Sequence, residues 1–583
     1  MTGEMGDPAH VVREVMRLYL ANKRSEAHAL IQLSLNDIAT RHSECPDASS
    51  LLRSVWAMVE LIEGLLSGSA DMISSCIDGF WAAEQLANES TDKEWIGNRI
   101  SRGLSYMFGG LVQVFIGSYV KAGVNVTIAF KLIRDFEKDV LVYSDPRDKD
   151  LIRSLGLLIL AMVNFFSVIL PPSVVAVGDY LGVGLSESKF IEYVTMCNDE
   201  GGIFAYISKL IQVYSLVNSK NFKFEKVTDT ELAQCRSLMD ECLRDAPNSV
   251  VLHVMNASVF LGEGKPKEAV ATLTTKEITA AINESDWATM ALAVHFKLGV
   301  AYWCDFEFES AQAAFQKAGD AIEKSGRWHY LPFMRSLEGL SYLSHMSLSP
   351  KRPDIGTIRI KADHIFAPTY ISRNLSNTIV LPGDYWGARI GFEYATLLSE
   401  TPDAALEELL DAKTPVTDAL YALLGCLYQF DKLDSAKLGK FVSAVKDSDK
   451  KTAKLNAVIG EYYRKIGKWS RAVSAFDDAL AAADEIINEG RPDRDSVIAF
   501  SLIFQAAALC FAGEVDTAKE VFADVEEEIN RSDPGGGFFG WSAHAGPVQP
   551  GNLVKPGGNE LDLIISFRRS GLKRKIDQLS ALN

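Results

Sequence analysis

The amino-acid sequence predicts an all-α superhelix, a solenoid of stacked helical hairpins with one apolar helix buried in its N-terminal half. Three observations carry this expectation. Apolar residues recur at three- and four-residue spacings, and the N-terminal half shows almost no strand-like alternation. One set of small and aromatic residues repeats at fixed offsets in the second half. The longest uncharged stretch, Ser154 to Gly178, has the length of a bilayer span, for which about 20 apolar residues suffice. Pro171-Pro172 cuts that stretch, however, and Asn164 lies inside its first half.

A chain of 583 residues exceeds the usual size of one core, but in repeat architectures the core keeps growing as units are added. With 48% apolar and 23% charged residues, the composition is that of a folded globular protein. The net charge of −17 argues against a nucleic-acid partner, because phosphate binding needs a basic face. The eight cysteines (Cys45, Cys76, Cys197, Cys235, Cys242, Cys304, Cys426, Cys510) are scattered without a CxxC pair. That pattern suits buried reduced thiols and a cytoplasmic location better than a metal site or a disulfide framework. The first residues, MTGEMGDPAH, carry acids and a proline where a secretory signal needs a basic start and an apolar core.

The N-terminal region, residues 1–220, reads as helical hairpins. Val12, Val15, Met16 and Leu18, then Ala27, Leu30 and Ile31, form two faces broken at Ala21-Asn22-Lys23. A second hairpin runs over Leu51 to Leu66 and Met72 to Leu86. A long helix follows from Lys93 to Val120, with Gly103, Gly109, Gly110 and Gly117 allowing close neighbours. Another spans Val126 to Val142 and stops before Pro146. The apolar helix comes next, over 150–170, with apolar residues on nearly every side, as expected of a helix enclosed by other helices or by lipid. A Gly182-Val183-Gly184-Leu185-Ser186 turn and two further helices, Ser188 to Asp199 and Gly202 to Val217, complete the region. The GVG lacks a preceding strand and a following Gly-Lys-Ser, and Gly262-Glu263-Gly264-Lys265 is followed by Pro266, so neither reads as a phosphate loop.

The repeats lie in 221–346 and 388–532. Leu298-Gly299, Tyr302, Ala311, Phe315 and Ala318 fall at the tetratricopeptide offsets, which recur in Ile459-Gly460, Tyr463, Ala472, Phe476 and Ala479. Weaker copies are Ala257, Phe260, Gly264, Ala269, Leu273 and Ala506, Leu509, Gly513, Ala518, Phe522. Small residues let the two helices of a unit touch, and the aromatic residues fill the gap to the next. Residues 347–387, with four prolines, are expected to form an irregular crossing loop, and 533–559, rich in Gly and Pro, a mobile one. A basic amphipathic helix occupies 560–583.

Tetratricopeptide units preceded by helical hairpins and a Gly-rich, Pro-broken apolar stretch resemble the tetratricopeptide repeat protein thirty-nine family, which includes the fungal inclusion body clearance protein. The residues that carry the likeness are Gly156, Asn164, Phe165, Val168, Leu170-Pro171 and Gly182 to Ser186, with Ala257, Gly264, Glu268-Ala269 and Trp287. The resemblance implies a non-catalytic scaffold or adaptor in lipid homeostasis or protein-inclusion clearance, in the cytoplasm or at the cytosolic face of mitochondria or lipid droplets. The family carries no active site to transfer, and the 347–387 insertion and the basic C-terminal helix depart from its pattern.

No HExxH, GxSxG or Walker sequence appears, so no catalytic, cofactor or metal residue is assigned. Glu407-Glu408 and Glu526-Glu527-Glu528 could imitate the carboxylates of a helical-toroid enzyme, but read as solvated helix faces. His295 reads as packed or solvent-facing. By the tetratricopeptide offsets, a concave groove for a partner peptide or helix would be lined by Phe296, Val300 and Trp303 in one unit and by Lys454, Glu461, Arg464 and Lys465 in another. The cations of the second set would receive an acidic segment. Arg568, Arg569, Lys573, Arg574 and Lys575 give the terminal helix three readings: a cap on the solenoid, a membrane-surface anchor or a nuclear import patch. The competing class is a protein of the mitochondrial outer membrane or lipid droplet, anchored through 154–178 or through that helix.

Overall fold

A computed structural model of the chain describes residues 8–40, 46–67, 70–90, 95–115, 119–145, 148–169, 184–219, 227–284, 288–324, 331–370, 390–391, 393–394, 397–425, 430–446, 452–485, 494–532, 568 and 572–581. Among these there is no strand. The first helices are α1 (Pro8–Leu20), α2 (Arg24–Thr40), α3 (Pro46–Ser67), α4 (Ala70–Glu89), α5 (Ile96–Phe115), α6 (Tyr119–Val142), α7 (Lys149–Ile169), α8 (Glu187–Glu200) and α9 (Ala205–Tyr214). There follow α10 (Asp229–Asp245), α11 (Val250–Gly262), α12 (Pro266–Leu273), α13 (Lys276–Glu284), α14 (Ala288–Cys304), α15 (Phe308–Lys324), α16 (Leu331–Leu348) and α17 (Ile355–Tyr370). The series ends with α18 (Asp403–Asp411), α19 (Thr414–Gly425), α20 (Ser435–Val445), α21 (Ala453–Lys465), α22 (Trp469–Glu485), α23 (Arg494–Ala512) and α24 (Val515–Ser532). Residues 572–581 are helical as well.

The chain divides into two compact units, one of residues 1–217, 229–256 and 273–293, the other of residues 218–228, 257–272 and 294–583. The first of the expected boundaries, at residue 220, falls where the two units interleave.

In the first unit α7 is the most enclosed helix. From Leu151 to Asn164 only Arg153 and Met162 escape full burial, because α1, α5, α6, α8 and α9 all pack against it. Each such Leu, Ile or Val contributes about 2 kcal/mol by leaving water. Close approach depends on small residues: a Cβ on Gly156 would meet Val140 Cγ2 at 2.6 Å. Asn164, the polar interruption of the apolar run, is buried and doubly used. Its Nδ2 donates to Leu160 O at 2.8 Å and its Oδ1 accepts from Ser186 N at 3.0 Å, pinning the residues before α8. Ser186 in turn caps α8 by accepting from Lys189 N. The second half of the apolar stretch, 170–178, lies outside the described residues.

Five hairpins share one turn. In α1/α2, α11/α12, α14/α15, α21/α22 and α23/α24 the left-handed residue is Asn22, Gly264, Phe306, Gly467 and Gly513. Each donates its N–H three residues back, and the next residue donates five residues back, at 2.8–3.2 Å. This double bond closes the last helical turn and reverses the chain within three residues. Five residues beyond each left-handed position stands an alanine (Ala27, Ala269, Ala311, Ala472, Ala518) of zero exposure, where a larger side chain would part the two helices. The first hairpin had no place among the repeats read from sequence, and Phe306 takes a position usually given to Gly or Asn. Its ring is held between Phe308 and Phe441.

The irregular loop expected over 347–387 is corrected in its first part by α17. Asp354 accepts from Thr357 N at 3.0 Å to start the helix, and Ile358, Ala362, Ile365 and Phe366 form its buried stripe. Pro353 stands before the cap and Pro368 in the last turn, so neither interrupts the helix. Residues 371–387 lie outside the described residues.

Candidate functional site

Of the residues expected to line a groove on α14, Val300 and Trp303 lie in the interior of the second unit, and Phe296 is half-buried. Val300 is 2% exposed and Trp303 not at all. The Trp303 indole N–H donates to Ser341 Oγ of α16 at 2.7 Å, the partner a buried indole requires. Phe296 packs on Phe315 and Phe333. Gly299 lets the Phe315 ring rest on the backbone of α14, as Gly460 does for Phe476 on α21. Burial pushes His295 down to about 4, so it stays neutral near pH 7.

The later set, Lys454, Glu461, Arg464 and Lys465, is engaged by acceptors of the same unit. The Arg464 Nε donates to Glu461 Oε2 at 2.7 Å, and its Nη2 donates to Asp431 Oδ1 at 3.2 Å. Lys465 donates to the carbonyls of Asp431 and Leu433 at 2.9 and 2.7 Å. Lys454 pairs with Asp418 and, at 3.8 Å, with Glu393. The contacts of Arg464 and Lys465 centre on the short turn Phe430–Lys432 and the residue after it. On its other side Asp434 N donates to Cys304 O, and Lys437 reaches Asp305. The turn is therefore a clasp joining the ends of α14 and α21.

Charge within the clasp is uneven. Desolvation drives the Glu461 carboxyl up, against the pull of Arg464. At Asp431 the desolvation penalty is outweighed by Arg464 and Lys465, which hold it below the usual carboxylate range. Lys432, 4% exposed, donates to Asn218 Oδ1 at 3.1 Å. Burial, with Lys297 nearby, brings its ammonium down to about 7. Cys304 in the same interior is driven up to about 12 by burial. The six described cysteines are buried and in no disulfide, which makes them inert thiols; Cys45 and Cys426 lie outside the described residues. Among the described residues no cluster of three or more His, Cys, Asp or Glu could hold a metal ion.

An open concavity lies in the first unit. A cleft of about 590 Å³ is bounded by one face of α1, the start of α7, the α8–α9 turn and the α10–α11 turn. Met16, Leu20, Ile203 and Pro247 supply apolar surface, and Arg13, Arg17, Tyr206, Asp150 and Asp245 supply the polar part. Arg13 faces Asp150 at 3.6 Å, Arg17 is held by Glu14, and Tyr206 donates to Asp245. Arg13 and Arg17 are more than half exposed, so these pairs are weak and exchangeable. Asn22 braces one side by accepting from Val250 N and donating to Asn248 O.

The basic C-terminal residues are divided. Arg568 is buried with its guanidinium over Phe504, and Lys575 lies over Phe511. Lys573 is exposed and Arg574 half-buried; Arg569 lies outside the described residues. Leu572 and Ile576 are buried, as a capping helix requires. The carboxylates of Glu407, Glu408 and Glu527 sit on exposed helix faces.

Compared with known proteins, the chain matches no family model and no curated protein. The cleft was not found from sequence, because its lining comes from four separated segments. The one available signal was the α1 register, in which Arg13, Met16, Arg17 and Leu20 share a face.

Proposed function

We propose that this chain is a non-catalytic scaffold of tetratricopeptide-like hairpins, as the resemblance to the tetratricopeptide repeat protein thirty-nine family implies, and that the cleft of the first unit receives a protein segment. The observation that carries this reading is the recurrence of one hairpin turn with one buried alanine in five places. Repeated hairpins build extended surface out of local contacts, which is the property binding solenoids use. The cleft combines apolar side chains with exchangeable charges of both signs, which suits a peptide segment.

The test uses the full-length chain on beads in native cell extract, alongside a triple variant, Arg13→Glu, Arg17→Glu and Tyr206→Ala. A stoichiometric protein partner retained by the wild type and lost by the variant is expected. Equal retention would sink the assignment to the cleft, and no retained protein at all would count against the scaffold.

The membrane-associated reading has less support. Among the described residues no helix is long and apolar enough to cross a membrane. The side chains of α7 described up to Phe165 are covered by neighbouring helices, and Leu572 and Ile576 are buried. Alkaline carbonate extraction should release the chain into the supernatant; retention in the pellet would favour insertion.

A further inference from the structure

We infer that the lysines gathered between α14 and the clasp of the second unit form a binding site for one compact phosphoanion, with Lys297 and Lys432 as its principal donors. The site stands apart from the scaffold reading and makes no use of the cleft.

The lysines arrive from different elements and converge. Lys297 stands on α14, Lys432 in the turn Phe430–Lys432 and Lys465 at the end of α21, all in the second unit. Lys432, Lys465 and Lys297 each lie near enough to Cys304 to act on its thiol. Lys297 also acts on Lys432 directly, like charge against like. This gathering does not follow from the overall balance of the chain, which carries a net charge of −17.

Charge and hydrogen bonding are both incomplete there. Arg464 answers Glu461 and Asp431, and Arg568 acts on the same two carboxylates. Asp305 is taken by Lys437. Asp431 acts on Lys432 as well, but less than burial and Lys297 do. The hydrogen-bond acceptor of Lys432 is a neutral one, Asn218 Oδ1. Among the described residues Lys297 has no hydrogen-bond or ion-pair partner. An ammonium carries three donors, so Lys297 uses none of its own and Lys432 one. Burial brings Lys297 down to about 8 and, with Lys297 beside it, Lys432 to about 7, the response of cations short of counter-charge.

Water reaches this cluster. The Asp431 side chain is 42% exposed, and Lys297 and Lys465 are half-buried. Desolvation is nevertheless the largest influence on all three. A group that water touches and protein still desolvates lies in a recess rather than on a convex face. Lys432 is only 4% exposed, so what meets it is a small solute rather than a polypeptide or a bilayer. A phosphoanion brings several negative charges on one small body, matching the two unanswered lysines, and acceptor oxygens for their free donors. Lysine meets such a group as a point charge.

The experiment is isothermal titration calorimetry of inorganic pyrophosphate into the full-length chain at pH 7 in magnesium-free buffer, with thermal unfolding alongside. Wild type should bind one equivalent, and pyrophosphate should raise its unfolding midpoint. Lys297→Met with Lys432→Met should weaken binding by about tenfold or more and leave the ligand-free chain no less stable, because both changes remove charge short of a partner. Lys297→Arg, which keeps the charge, should retain most of the binding. Lys267→Met, at an exposed lysine of the same unit, should leave it unchanged. No binding by wild type, a double variant that binds as wild type does, or an equal loss in Lys267→Met, the mark of diffuse charge attraction, each overturns the proposal. If the double variant loses its fold, Lys297→Met alone is titrated, and unchanged binding overturns the proposal. Loss of fold in both also overturns it, since the lysines would then be structural.

Discussion

Helices α7 and α16 are each enclosed within their own unit, and they reach enclosure by opposite chemistry. α7 buries an almost continuous hydrocarbon surface whose buried polar members, Ser154 and Asn164, donate to carbonyls of the same helix. α16 is buried at every position from Leu331 to Ser344, yet it carries Arg335 and Glu338 inside. Their side chains meet at 2.7 Å, and Asp320 and Glu323 of α15 complete the set at 2.8 and 3.1 Å. The comparison shows that full burial does not require an apolar sequence. A buried cation is tolerated where carboxylates arrive from a neighbouring helix, at a desolvation cost an apolar helix never meets.

The sharpest way to break the comparison is to remove one charge from α16. Arg335→Met leaves Glu338 without its partner and should cost about 3–5 kcal/mol in urea unfolding, whereas Arg335→Met with Glu338→Leu should recover most of it. The pH dependence has a definite sign. Desolvation already raises Glu338 against the pull of Arg335, and without Arg335 its folded pKa rises further above the unfolded value of about 4.3. The deficit is then greatest near neutral pH and shrinks as pH falls toward 4 and the carboxyl protonates. A deficit independent of pH would place the loss elsewhere.

In α7 the corresponding change is Leu158→Ala, expected to cost about 3 kcal/mol through lost burial and a cavity, with no such pH dependence. A similar pH slope in this variant would erase the distinction between the two helices.

Lys432 in the clasp sharpens the point that buried charge is a cost. Lys432→Met should raise the urea midpoint at pH 7, reflecting an unfolding free energy larger by about 1–3 kcal/mol. The folded ammonium titrates near 7 and the unfolded one near about 10.4. The penalty is therefore complete below pH 7 and relieved as pH rises between those values, so the advantage of the variant should fade toward pH 10. The smallest effect belongs to Asn164→Leu, which loses the bond to Ser186 N and should cost about 1 kcal/mol by the same measurement.

How much was legible follows from where each signal is written. The hairpins α14/α15 and α21/α22 were legible because the small residues at Gly299, Ala311, Gly460 and Ala472 answer contacts within about 20 residues of themselves. The α1/α2 copy escaped because Val15 stands where those units have glycine and Asn22 where three of the five turns have it. Helix α17 escaped because its flanking prolines were read as breakers, although its Ile358, Ala362, Ile365 and Phe366 stripe has ordinary helical spacing. Of the expected groove, Trp303 and Arg464 could not be placed from sequence, since an aromatic or a cation on a first helix faces either water or the next layer of the stack.

The sequence by itself determined the local frame of this protein: the all-helical class, the reversals at Gly264, Gly467 and Gly513, and a core helix at Leu151 to Asn164. Each of these depends on backbone conformation or periodic burial within one or two adjacent helices. Only the tertiary structure decided which charges are used up inside, which face of α1 borders a cleft, and that Arg568 and Lys575 rest on Phe504 and Phe511. Those outcomes depend on segments far apart in the chain, and the free energy of a charge or a ring is set by the neighbours that packing brings to it.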